Sequence, residues 1–192
     1  MGAATRDRHE IRRSALKLFD ERGFDTVTLD DVAAAVSRSV ASVEREFSTT
    51  RDIVVHNDYF DTIVDCFENC PPELSCAGAW VVAIDEIANS MSAEEWETEL
   101  RRTRIFFRDE RHIGGVSEMI ASFLFGLKHA VAERANLPVE SAEVVIFSGA
   151  IYGMMLSIPI TEDRCEWVKA HAIAIESLGP ALDHMLRVAR NH

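Results

Sequence analysis

The chain is short of almost everything that announces a chemistry. Four cysteines in 192 residues, Cys66, Cys70, Cys76 and Cys165, are too few and too spread for a disulfide framework. Cys66 and Cys70 sit one helical turn apart, but no Cys-x-x-Cys and no nearby histidine pair supports a metal site, so plain thiols are expected. No GxSxG, HExxH, phosphate-cradling glycine loop or GxGxxG occurs. The histidines at 56, 112, 129, 171 and 184 are scattered, and His9 and His192 are near the termini. Glu94, Glu95 and Glu97 read as a solvated helix start rather than an acid–base pair. These gaps argue against an enzyme, and no cofactor or metal is expected.

Strand-like alternation is also scarce, and five prolines with nine glycines leave long stretches free to be helical. No run of about 18 uncharged apolar residues exists to span a membrane. The longest apolar candidate, 144–160, contains Ser148, Gly149, Gly153, Ser157 and Pro159, and reads as a buried helix. The opening residues lack a secretory pattern, so the expected location is the cytoplasm. Basic residues are the last scarcity: 20 against 32 acidic, for a net charge of −12. Through Phe60 there are nine basic and eleven acidic side chains, so this part is less acidic than the rest without being basic. Long-range attraction to DNA would be weak.

What the chain does have is helical periodicity with clear stops. Ile11, Ala15, Leu18 and Phe19 recur at helical spacing up to Gly23. Thr28 is an N-cap with Asp30 and Asp31 in the first turn of a short helix to Val36. Ser39 caps another ending near Phe47, and Ser48-Thr49-Thr50 precedes one long helix expected from Asp52 to about Glu68. After the break at 69–75 come helices over 77–89 and, behind the capping box Ser92-Ala-Glu-Glu95, to Arg108. Gly114-Gly115 separates these from 116–134, and Leu137-Pro138 starts a helix to Ser157. The last, 161–190, is expected to be interrupted at Gly179-Pro180. The class is all-α, with nine or ten helices.

Three short helices leading into a long fourth is the layout of a helix-turn-helix module, in which the third helix lies in the major groove. Ile11, Ala15, Leu18-Phe19, Gly23-Phe24, Thr28, Val32-Ala33, Ser39, Phe47 and Asp52-Ile53 together make this segment resemble the TetR family of bacterial regulators, over about residues 6–55. The resemblance implies a three-helix DNA-binding domain, 1–51, and a six- to seven-helix effector-binding and dimerisation domain, 52–192. It implies a homodimeric, effector-responsive regulator, expected to be a repressor, on a palindromic double-stranded operator. Arg6, Arg8, Thr28, Ser39 and Arg51 would touch phosphates, with Val40, Ala41, Ser42 and Arg45 toward base edges. A cavity among helices four to eight would be lined by Phe60, Val64, Phe67, Trp80, Ile84, Phe107, Met119, Phe123 and Met155, suiting a small, largely apolar effector. Small residues along one side of 148–157 allow close helix approach, inside one subunit or, as the resemblance implies, in a dimer bundle of the last two helices with Gly149, Gly153, Trp167, His171, Ala174 and Leu178 at the interface.

The sequence departs from the family pattern at the reading helix. Relatives usually have glycine then valine in the turn before it, where this chain has Ser37 and Arg38. Threonine, an aromatic, and histidine or tyrosine usually precede the phenylalanine; here Ser42, Glu44 and Glu46 precede Phe47. Thr50, beside Arg51, stands where a lysine usually opens the fourth helix. Two carboxylates would face a polyanion unless they point away or pair with Arg45, Arg12 or Arg51. The other readings are a cytosine-reading glutamate, or a module of this fold whose DNA binding is weakened or lost and which works through small-molecule or protein contacts.

Overall fold

The computed structural model describes residues 3–108 and 117–191, without the side chains of residues 3–6 and 117–119. The side chains of Arg6 and Met119, the separation expected at Gly114-Gly115, His112 and His192 therefore lie outside the described residues. All described regular structure is helical: α1 Ala3–Arg22, α2 Leu29–Ala35, α3 Val40–Glu46, α4 Thr50–Val55, α5 Tyr59–Asn69, α6 Cys76–Ser90, α7 Ala93–Arg108, α8 Ser117–Ala135, α9 Ala142–Ser157 and α10 Arg164–Arg190, with a 3-10 turn at Phe24–Thr26. No helix among the described residues is long and apolar enough to cross a membrane.

Contacts gather into two compact units, Met1–Asn57 with Ala93–Val116, and Asp58–Ser92 with Ser117–His192. This differs from a division at residue 51, because α7 packs on α1 and α4. In the first unit, Ile11, Ala15 and Leu16 of α1, Val32 of α2, Val43 of α3 and Ile53 and Val54 of α4 are buried, joined by Trp96, Leu100 and Ile105 of α7. Each large apolar side chain so placed contributes about 1.5–3 kcal/mol. In the second unit, α6 pairs with α5 and α10, and α8 with α5 and α9.

The helix starts follow local chemistry. Thr28 and Asp31 form a reciprocal capping box on α2, as do Thr49 and Asp52 on α4, and the Ser39 hydroxyl accepts from the Ser42 amide at 3.3 Å. The helix ends do not, because many are closed by arginines from distant sequence. Arg8 donates to Glu46 O at the end of α3, and Arg12 to His56 O at 3.1 Å. Arg102 donates to Val54 O at 2.8 Å. Arg134 reaches the carbonyls of Phe67, Cys70, Pro71 and Leu74 beyond α5, and Arg164 those of Ala88, Met91 and Ser92 around the end of α6. A C-terminal carbonyl has no intrahelical partner, and a guanidinium fork suits the end of the helix dipole.

Two helices depart from expectation. The helix expected over Asp52–Glu68 is two, because His56 turns to φ −69°, ψ 130° and ends α4. Conversely, the interruption expected at Gly179-Pro180 is missing: α10 runs through Pro180. Glu176 and Pro180 face solvent, so water can take the carbonyl that proline cannot serve. Gly179 is required for a different reason, since a Cβ there would lie 2.8 Å from the Ala77 Cβ of α6. Asp183 accepts from the Ala77 amide at 3.1 Å and fixes that register.

Ser37 has φ +54° in the turn between α2 and α3, a conformation that L side chains other than asparagine and aspartate rarely adopt. Ser37→Gly should therefore stabilise the chain by about 1 kcal/mol, raising Tm by about 2–4 °C in calorimetry. An unchanged or lower Tm would show that the serine side chain compensates for the strain.

Candidate nucleic-acid interface

The left-handed turn at Ser37 and the Ser39 cap hold α3 with Val43 inward and Ala41, Glu44 and Arg45 exposed, flanked by half-exposed Val40 and Ser42. Val43 and Phe47 are buried, so this seven-residue helix has one free face. Arg45 lies on it, its Nη2 3.4 Å from the Ser42 hydroxyl. Thr28 is exposed at the start of α2, its amide and hydroxyl held by the Asp31 carboxylate at 2.9 and 2.7 Å. Those bonds keep the Asp31 carboxyl below its ordinary range.

The cations around this face are mostly spoken for. Arg8 is turned inward: it donates to Glu46 O, lies 3.7 Å from Glu46 Oε2 and stacks 4.1 Å over the Phe47 ring. Arg22 sits 3.4 Å from Asp31, and Arg38 bonds Asp7 at 2.7 Å and Glu10 at 3.3 Å. Its hydrogen bond to Asp7 and the nearby negative charge raise the Arg38 pKa. Arg13 pairs with Glu94, and Arg51 is half-buried in the first turn of α4. Arg8 and Arg51, expected at phosphates, are thus drawn into the fold.

Glu46 is also resolved, with a partner that the sequence reading did not anticipate. It pairs with Arg8 of α1. Glu44 stays exposed on the face carrying Arg45. The only sequence signal for the Arg8–Glu46 pair was two opposite charges 38 residues apart, which no local rule connects.

Residues 11–56 match the family model of bacterial regulatory proteins, tetR family. The helix-turn-helix segment is similar to that of the tetR family. A protein from Mesorhizobium loti described as a putative TetR-family transcriptional regulator has a similar fold, at a TM-score of 0.53 and 15% identity over 94% of this chain and 98% of that one. No curated protein matches. The segment thus has the helical architecture of that family's module, on a surface whose positive charge is largely compensated from within.

The expected effector-pocket residues mostly fall together in the second unit. Val64, Phe67, Trp80, Ile84 and Phe123 are buried there, with Phe60 4.6 Å from Phe123 and Phe67 6.5 Å from Trp80 by ring centroid. Met155 of α9 is half-buried in the same unit. Phe107 is not among them. It lies on α7 in the first unit, 47% exposed, with its ring edge-on to Phe106. A cleft of about 470 Å³ in the first unit is lined by charged Arg13, Lys17, Glu94, Glu97 and Arg101 together with Ser14, Leu16 and Thr98.

Among residues expected between copies, Gly149 and Gly153 are exposed, and a Cβ on either would meet nothing within 4 Å. Packing inside one chain therefore does not explain them. Leu178 is 48% exposed and Ala174 half-exposed. Trp167 and His171 are instead buried on the inner stripe of α10, 4.5 Å apart by ring centroid. Their side chains belong to this chain's own core, and burial lowers the His171 pKa.

Among the described residues no group of three or more His, Cys, Asp or Glu side chains is arranged to hold a metal. Burial pushes the Cys76 thiol up to about 12, with the Asp183 carboxylate adding to it. Burial first, then the Glu86 carboxylate, raises Cys66 and Cys70. Since the thiolate is the reactive form, iodoacetamide at pH 8 should label exposed Cys165 first and leave Cys76 unlabelled until unfolding. Mass spectrometry of a time course checks this order, and early labelling of Cys76 would contradict it.

Proposed function

We propose that the chain is a cytoplasmic, homodimeric transcriptional repressor that reads a palindromic operator with α3 and releases it on binding a small, largely apolar effector in the second unit. The observation that carries this reading is the free face of α3, where Ala41, Ser42 and Arg45 stand beside a left-handed turn and a serine cap. Arg45 would read base edges, and Thr28 and Ser39 would meet phosphates together with the helix amides. Among the described residues no nucleophile–base pair supports an enzymatic reading. The exposed apolar side chains Val145, Ile146 and Leu156, in line with Gly149 and Gly153, support a partner copy on α9, and Ile173 and Leu178 extend the patch on α10.

One observation favours a second reading, a module of this fold with weakened DNA binding. Arg8, Arg22 and Arg38 spend their charge on Glu46, Asp31, Asp7 and Glu10. A paired guanidinium releases few counterions from DNA, so the salt dependence of binding should be shallow. Glu44 is the remaining obstacle on the reading face. A salt titration by fluorescence anisotropy on the upstream duplex and on a scrambled duplex separates the readings. Under the repressor reading, wild type prefers its own duplex and Arg45→Ala loses about 1–3 kcal/mol of that preference. Glu44→Tyr should tighten binding to scrambled DNA at low salt by removing a negative charge. If wild type binds both duplexes equally weakly and Glu44→Tyr alone restores binding, the second reading stands.

A further inference from the structure

The break between α4 and α5 lacks a strong helix breaker in its own sequence. His56, Asn57 and Asp58 include neither proline nor glycine, and the apolar positions Ile53, Phe60, Ile63, Val64 and Phe67 keep helical spacing across it. Yet His56 is extended and α4 stops at Val55. Two buried guanidiniums sit where the helix would continue. Arg102 Nη1 donates to Val54 O at 2.8 Å, the carbonyl that in an unbroken helix accepts from the Asp58 amide. Arg12 Nη2 donates to His56 O at 3.1 Å, the carbonyl that would accept from the Phe60 amide.

Neither arginine is held by solvent. Arg12 is 2% exposed, Arg102 6% and Glu99 5%. The Glu99 carboxylate accepts from Arg102 Nε through both oxygens, at 3.0 and 2.8 Å, and lies 4.0 Å from Arg12 Nη1. Arg12 also lies over the Phe47 ring, which caps the end of α3, at 5.2 Å. The three charged side chains come from α1 and α7, and their common target is the end of α4. The boundary between the compact units falls at the same place, after Asn57.

We infer that the break between α4 and α5 is a latch: Arg12 and Arg102, aligned by Glu99 as the positioning residue, hold open a helix that the sequence would otherwise run from Thr50 to Asn69. The latch has two discrete arrangements. With the arginines seated, the carbonyls of Val54 and His56 serve guanidiniums and His56 stays extended. With the arginines withdrawn, the same carbonyls serve the amides of Asp58 and Phe60, and residues 56–58 become helical. Anything that favours one arrangement sets the helix state of this segment.

The test removes the latch without stranding a buried charge. In the triple variant Arg12→Met, Glu99→Leu, Arg102→Met all three charges become apolar groups of similar length, a replacement that often leaves stability intact. NMR of the labelled full-length protein then reads Cα shifts and amide exchange at His56–Phe60. Wild type should show extended shifts at His56. The triple variant should show helical shifts across 56–58 and about tenfold slower exchange of the Asp58 and Phe60 amides. A folded triple variant whose His56 keeps extended shifts would overturn the inference. Should that variant not fold, Glu99→Gln decides, because it loosens both arginines and removes only one charge. A partial move of the 56–58 shifts toward helix supports the latch, and unmoved shifts contradict it. Neither outcome depends on whether the protein binds DNA.

Discussion

Arg102→Ala should lower the stability of the protein by about 3–5 kcal/mol, the cost expected when one member of a buried ion pair is removed. The change leaves Glu99, 5% exposed, with its nearest remaining cation at 4.0 Å, and it leaves Val54 O without its guanidinium. Urea unfolding at fixed protein concentration measures it. With a slope of about 1–3 kcal/mol per molar urea, the midpoint should fall by about 1 M or more. Arg101→Ala is the control: Arg101 is 30% exposed and pairs at the surface with Glu97 and Asp20, so its loss should cost no more than about 1 kcal/mol. Equal effects of the two changes would mean that the buried network has no special weight in the first unit.

Gly153→Trp should turn a dimer into folded monomers. The glycine is exposed and a Cβ there meets nothing in its own chain, so the indole is accommodated by an isolated subunit. Against a second copy of α9 it acts as a wedge, and overpacking of about 1–3 kcal/mol raises the dimer Kd by about 5- to 150-fold. Sedimentation velocity at micromolar concentration separates the states, and circular dichroism shows whether the helices persist. A wild-type monomer at that concentration removes the proposed interface, and a Gly153→Trp protein that stays dimeric moves it elsewhere.

The elements readable in the sequence were those set by neighbours in the chain. Thr28 with Asp31, Thr49 with Asp52, and Ser39 are capping signals within a four-residue window, so the starts of α2, α3 and α4 followed from local chemistry alone. The helix ends were less legible because their partners come from far away: Arg8 reaches 38 residues, Arg134 up to 67 and Arg164 up to 76. That explains why the Asp52–Glu68 helix was expected whole, since nothing between Val55 and Tyr59 reports on Arg12 or Arg102. Pro180 failed in the opposite direction, a local breaker tolerated because it faces solvent. On α3, helical spacing gives the exposed Arg45 and half-exposed Ser42, while the pairing of Arg8 with Glu46 across 38 residues has no local signal. Trp167 and His171 are expected at a seam between copies through the family resemblance alone; spacing gives the stripe, and only packing shows that it faces this chain's own core.

The central claim is that α3 reads duplex DNA as one of a two-fold pair, and selection from a random duplex pool tests it most directly. The full-length protein is incubated with the pool at about 50 mM salt, where phosphate contacts are strongest, and bound sequences are amplified over successive rounds. The account predicts enrichment of two half-sites in inverted repeat, their centres about one helical turn or a multiple of it apart, with Arg45→Ala relaxing one base pair in each half. A pool that stays random after repeated rounds, with the protein folded and dimeric throughout, would contradict it.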